Sequence, residues 1–278
     1  MRRFFLCIYV VGTAVLLIAT PFDLAISEAL FGGKNGAFRA LSEMVYVPPF
    51  LIGYFGIAYY VQRFNDKSVP RWVRNTVFGF AILGVVGLSV MFFVSMRFLP
   101  YYQVVVPFLT VGMIAGAVWI SRIALQRKWF VFDYLSAAGM GMIVTLFFVV
   151  TLLKRLFGRA RFYVVVEDDS VYSAWYHIQG MVYERDFYSI PSGHISFATM
   201  AVWFVVAAML IPRLNRYVKP LTIGVVIWIV GQGLLRVFLG EHFLTDVAFS
   251  VVFSAALMHL GIIVTRTIRQ WLEKRYNI

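Results

Sequence analysis

The run Pro220–Asp246, PLTIGVVIWIVGQGLLRVFLGEHFLTD, decides how this chain is read. From Leu221 to Leu235 it carries no charge. A stretch this apolar belongs in a hydrocarbon core, which takes about 20 residues to cross as a helix. It then closes on Arg236, five residues, His242, three residues, Asp246. A cation, an imidazole and a carboxylate are costly at the edge of a bilayer, so their presence there is a functional signal. His242 and Asp246 are one helical turn apart and point from one face.

Outward from this run, seven further apolar stretches are long enough, or nearly so, to cross a membrane. With residues 220–238 they lie near 4–19, 44–62, 74–96, 104–121, 134–153, 194–212 and 243–265. Hydrophobic residues make up 61% of the 278, charged residues only 14%, and the mean hydropathy is +0.81, more apolar surface than a soluble domain of this length can bury. The apolarity is continuous rather than alternating, which favours helices over a membrane barrel. The expectation is an all-α, polytopic transmembrane bundle forming one domain over residues 1–278, without internal repeats.

Most of the 25 Lys and Arg residues fall in alternate connections. One set holds Arg2 and Arg3, then Arg63, Lys67, Arg71 and Arg74, then Arg122, Arg127 and Lys128. It continues with Arg213, Arg216 and Lys219, and ends with Arg266, Arg269, Lys274 and Arg275. The positive-inside rule puts this set, and both termini, in the cytoplasm of a cell (inner) membrane. The net charge of +12 is mostly this collar. No basic face stands apart from it, which argues against nucleic-acid binding. The single cysteine, Cys7, excludes an intrachain disulfide and a Cys-x-x-Cys zinc site. Arg2, Arg3 and the first apolar run also fit a secretory leader. No Ala-x-Ala site follows closely, so a retained span is preferred.

Residues 20–43 read as an amphipathic segment on the outer surface. Leu24, Ile26, Leu30, Phe31, Phe38 and Leu41 are available to dip into the interface. Pro48 and Pro49 fall early in the second span, where a bend is tolerated. Residues 162–190 form the longest outer connection and are rich in aromatics, which reads as an interfacial belt or as a lid over a headgroup.

Two more polar islands lie at the ends of apolar stretches: Lys154, six residues, Arg161; and Pro191-Ser192-Gly193-His194. On the orientation above, all three islands share the outer face. Each has a plain reading: a juxtamembrane stop signal, a helix cap with a surface histidine, and a solvated His–Asp pair. Each also has a chemical one. Lys154 and Arg161 reach one site only if the helix breaks after about Leu156, and they then offer a point charge and a bidentate donor to phosphoryl oxygens. Ser192 and the first-turn amides face an anion at a helix start. His194 enters there as an acid. Asp246 is placed to fix the tautomer of His242, freeing the other nitrogen as a nucleophile or base. Three cations around two histidines and a carboxylate favour a phosphate.

In these motifs, spanning residues 154–246, the chain resembles the type 2 phosphatidate phosphatase superfamily, with its pattern K-x6-RP, PSGH and SR-x5-H-x3-D. Phe162 replaces the usual Pro and Leu235 the usual Ser; neither position carries charge or moves a proton. The resemblance implies a six-helix core, making the third and fourth spans an addition. It implies His242 as nucleophile, Asp246 orienting it, and His194 as acid and then base. It implies Lys154, Arg161 and Arg236 on the phosphoryl oxygens, with Ser192 and the Gly193 amide assisting, and neither metal nor cofactor. Gly158-Arg159-Ala160-Arg161 is similar to a variant common in bacterial lipid phosphatases, including those acting on lipid A. Arg155 and Arg159 are candidates for contacts to a second charge on the headgroup.

The implied activity is removal of phosphate from a membrane lipid phosphate or pyrophosphate: lipid A, phosphatidylglycerol phosphate, phosphatidate or undecaprenyl pyrophosphate. The alternatives are transfer of phosphate from lipid to lipid through the same phosphohistidine and, more remotely, a non-enzymatic binder or transporter. A transporter would place polar groups near the midplane, where this chain has little beyond Gln232 and His259. The partners implied are the lipid substrate and the bilayer; no obligate protein partner is inferred. Glu167-Asp168-Asp169 reads as an acidic turn rather than a cation site. His177 reads as solvated or headgroup-facing, and His259 as a neutral, hydrogen-bonded packing residue.

Overall fold

Lipid offers backbone N–H and C=O groups no partners, so apolar segments satisfy them internally as helices. The computed structural model describes residues 1–33 and 35–276, and the described chain is helical without strands. In order the helices are α1 (Arg2–Ala19), α2 (Asp23–Leu30), α3 (Gly36–Glu43), α4 (Val47–Phe64), α5 (Arg71–Ser95) and α6 (Tyr102–Gln126). They continue with α7 (Phe132–Phe157), α8 (Phe162–Val165), α9 (Gly193–Thr199), α10 (Val202–Leu210), α11 (Val218–Phe238) and α12 (Leu244–Tyr276). Among the described residues eight helical segments are long and apolar enough to cross a membrane, and they match the eight expected stretches. Pro48 and Pro49 sit in the first turn of α4, where a missing N–H costs nothing.

The core runs through α4, α7, α10 and α12. Phe50, Phe55, Leu135, Leu146, Val206 and Met258 are buried in it. The indole of Trp203 donates to the Leu135 carbonyl at 2.9 Å, so this large side chain is satisfied inside the bundle. Outward-facing positions stay apolar: Phe78, Phe80, Phe147, Phe148 and Ile227 are all exposed, as lipid contact requires. α5 and α6 pack on α4 and on each other, apart from α11 and α12, which fits an appendix to a smaller core.

α1 lies along α12, where Tyr9 Oη is 3.0 Å from His259 Nδ1 and Phe5 stacks on the imidazole at 4.3 Å. His259 is therefore the hydrogen-bonded packing residue expected. At the end of the bundle opposite the three islands, Asp133 accepts from Tyr59 at 2.6 Å and pairs with Arg63 and Arg269.

The 20–43 segment is only partly what its pattern suggests. Phe38 and Leu41 are exposed along it, as an interfacial segment would have them, but Asp23, Ser27, Ser42 and Glu43 are buried. The segment turns a polar edge inward, against α11 and α12.

Candidate active site

α7 delivers Lys154 in its last turn. Gly158 ends the helix with a left-handed φ of +57°, its N–H bonded to the Lys154 carbonyl at 3.1 Å. A side chain there would be strained, and its Cβ would lie 2.6 Å from Val182. This is the break that lets Arg161 turn back toward Lys154. Lys154 Nζ donates to the Tyr188 carbonyl at 2.9 Å, and its Cε runs beside Gly193, bringing the first island against the second.

Ser192 caps α9, its Oγ accepting from the Ile195 N–H at 3.4 Å, while its own N–H donates to Ser250 Oγ at 2.7 Å. The Ser192 hydroxyl, expected to help bind an anion, is thus engaged as a cap and buried. The first-turn amides of Gly193 and His194 remain the groups without helical partners by position.

Arg236 ends α11 and is buried. Its guanidinium reaches Ser42 Oγ at 3.3 Å and Glu241 at 3.2 Å. Glu241 also pairs with Arg161, so one carboxylate bridges two of the three cations. Gly240, at φ +69°, makes the tight reversal that brings Glu241 and His242 back under Arg236; a Cβ there would meet Phe31 at 2.6 Å.

His242 is almost wholly buried, and its Nδ1 stands 3.9 Å from Asp246 Oδ2, an ion-pair spacing past hydrogen-bond length. Burial, then the charges of Lys154, Arg236 and Arg161, push His242 well below the ordinary histidine value, so it is neutral at pH 7. Asp246 is instead saturated by other donors. Oδ2 takes Ser189 Oγ at 2.5 Å and the Phe243 N–H at 2.9 Å, and Oδ1 takes Arg159 at 2.6 Å.

Arg159 corrects an expectation. Rather than reaching a headgroup, it is 1% exposed and spends its guanidinium on Asp246, on Asp23 at 2.7 Å and on Thr245 Oγ1 at 3.0 Å. The Phe243 ring lies beneath it at 4.0 Å. A buried guanidinium must be paired, and two buried carboxylates do so here. Arg155 stays at the periphery, its guanidinium 5.5 Å from the Tyr183 ring centroid.

Phe162, which stands where the family has Pro, is buried and meets Phe31 and Phe243 edge-on at 5.3 and 5.5 Å. In the long outer connection Tyr176, His177 and Tyr183 face outward, whereas Trp175 donates to Thr20 Oγ1 at 2.9 Å and packs on Phe249. The acidic run 167–169 is exposed, with Asp168 accepting from Ser170 N–H and Oγ. Among the described residues no group of three or more His, Cys, Asp or Glu is arranged to hold a metal ion.

Five contributors carried no advance signal: Asp23, Ser42, Glu43, Ser189 and Ser250. His194 Nε2 lies 3.3 Å from Glu43 Oε2. Each is a single polar residue outside the three motifs, and only the tertiary fold brings it in.

Three cations, two imidazoles and a buried carboxylate at one end of an apolar helical bundle define a membrane protein built for phosphoryl chemistry. Residues 133–270 match the PAP2 superfamily model, and the chain belongs to this superfamily, that of the type 2 phosphatidic acid phosphatases. Its chemistry is of the phosphatase or phosphotransferase type on lipid phosphates. No curated protein and no solved structure matches the chain.

Proposed function

We propose that the protein dephosphorylates a membrane lipid phosphate or pyrophosphate, without a metal, through a phosphohistidine at His242 on the outer face of the membrane. The observation that carries this reading is the gathering of three cations at the buried His242: Arg161 and Arg236 meet on the adjacent Glu241, and Lys154 lies against the Ser192-Gly193-His194 turn. Buried Nε atoms of Arg161 and Arg236 have no hydrogen-bond partner, and phosphoryl oxygens would supply them.

In the proposed cycle the cations bind the phosphoryl oxygens and meet the charge that grows there in the transition state. Nδ1 of His242 faces Asp246, so Nε2 attacks phosphorus. The bond to the leaving oxygen breaks as His194 gives that oxygen a proton. Water then attacks the phosphohistidine, His194 takes its proton, and inorganic phosphate leaves with His242 restored. Asp246, held by Arg159 and Ser189, orients the nucleophile through its position rather than through a short hydrogen bond. The outer-face placement follows from the Lys and Arg distribution.

The test is phosphate release by the purified protein in detergent with EDTA. The panel holds lipid A, phosphatidylglycerol phosphate, phosphatidate and undecaprenyl pyrophosphate. Release from one of these, lost by at least about 10⁴-fold in His242→Ala, is expected for a nucleophile. Full activity in His242→Ala sinks the mechanism. Phosphate found on a second lipid instead of in solution assigns the transferase variant of the same cycle.

A further inference from the structure

Resting on the reading of His194 as the proton donor, we propose that Glu43 is its positioning residue, giving the acid its own carboxylate from the N-terminal interfacial segment. Glu43 is the last residue of α3, lies outside the region matched by the superfamily model, and its side chain is only 7% exposed. A carboxylate is disfavoured by burial. Its place is explained by what faces it: His194 Nε2 at 3.3 Å, with Arg236 and Arg39 in electrostatic reach. The Tyr46 ring, from the turn that follows, lies 5.4 Å from the imidazole and completes the wall.

The charge balance gives Glu43 its role. A general acid must hold two ring protons before it gives one away, yet Lys154 runs beside the neighbouring Gly193 and Arg236 reaches Ser42, next to Glu43, so two cations stand around a ring that must itself become cationic. Among the described residues Glu43 is the one carboxylate in hydrogen-bond reach of that ring. By accepting from Nε2–H it fixes the tautomer, directs Nδ1 at the leaving oxygen, and offsets the cations when Nδ1 is protonated. Asp246 and Glu43 then act as separate orienting carboxylates, one for the nucleophile and one for the acid. Ser42 is the neighbouring contact, holding Arg236, so the end of α3 braces two elements of the site at once.

The experiment compares kcat/KM on two soluble probes with the full-length protein. The alkoxide leaving from dodecyl phosphate needs a proton; the phenolate leaving from 4-nitrophenyl phosphate does not. Glu43→Gln should lower the dodecyl value at least about tenfold and the nitrophenyl value by less than about threefold. His194→Ala should show the same bias, more strongly. Equal losses on both probes, or none, in Glu43→Gln overturn the proposal. If His194→Ala shows no bias, the acid assignment itself fails and takes the proposal with it. If His194→Ala is biased and Glu43→Gln is not, Glu43 alone is excluded. Should the amide variant not fold, Glu43→Asp keeps the charge at shorter reach. It is expected to show the bias in weaker form, and an equal loss on both probes overturns the proposal.

Discussion

Arg159 Nη1 holds Asp246 Oδ1 at 2.6 Å, with both side chains sealed from solvent, while Arg159 Nη2 holds Asp23 Oδ2 at 2.7 Å. One guanidinium therefore ties the carboxylate behind the nucleophile to α2. Removing it leaves two buried carboxylates unpaired, a loss of about 3–5 kcal/mol for a broken buried pair. Arg159→Met is expected to lower the thermal midpoint sharply and, because Asp246 loses one of the groups that hold it, to lower kcat per folded molecule at unchanged KM. A headgroup contact would instead raise KM at unchanged stability, so the two measurements together separate the roles.

Glu241 stands between Arg161 and Arg236, on the cations assigned to phosphate. An incoming phosphate must compete with it. In Glu241→Gln the competition is gone, and inorganic phosphate is expected to inhibit about five- to tenfold more tightly, equivalent to about 1–1.4 kcal/mol. Inhibition constants for phosphate in wild type and variant check this; weaker inhibition would mean that Glu241 holds the cations in place rather than competing for them.

His242 is held well below the usual histidine value by burial and by Lys154, Arg236 and Arg161. The folded protein then binds fewer protons at this site than the unfolded chain does below about pH 6.5. Stability is fully present above that pH and is lost as pH falls through this window. The thermal midpoint of wild type should drop between pH 7.5 and 5, and His242→Gln should flatten that part of the drop. An unchanged slope in the variant would show that other groups carry it.

Phe162 sits at the first position of α8, preceded by Arg161 at φ −73° and ψ 154°. That extended backbone admits a following proline, and a proline at the first helical position is tolerated. Phe162→Pro therefore changes packing, not path. Loss of its buried ring contacts with Phe31 and Phe243 is expected to cost about 2–4 kcal/mol. Calorimetry or a denaturant midpoint measures the loss, with kcat per folded molecule close to wild type.

The spans and the three motifs were legible because both are local signals. Continuous apolarity over about 20 residues reports a helix in lipid, and the spacing from Arg236 to His242 to Asp246 survives in any fold that closes one turn. The need for a break after Leu156 was likewise readable, and Gly158 makes it. What stayed hidden was long-range. Asp23 and Arg159 are 136 residues apart, and His194 and Glu43 are 151 apart. In the 20–43 segment the exposed apolar positions dominate the pattern, and nothing in single Asp or Glu residues says that they point inward. Arg159 was misjudged for the same reason. Beside a phosphate motif an arginine reads as one more clamp, until the two carboxylates that consume it are located.

The pairing of α1 with α12, and of Asp23 with Arg159 and Thr245, also orders events during synthesis. The segment that supplies Asp23 and Glu43 leaves the ribosome long before the helix that carries Asp246. Until α12 inserts, Arg159 lacks one of its two carboxylates and α1 has no long partner. The nascent protein thus lacks the carboxylate behind the proposed nucleophile until its last span is in the membrane, and until then Arg159 has Asp23 alone as its carboxylate partner.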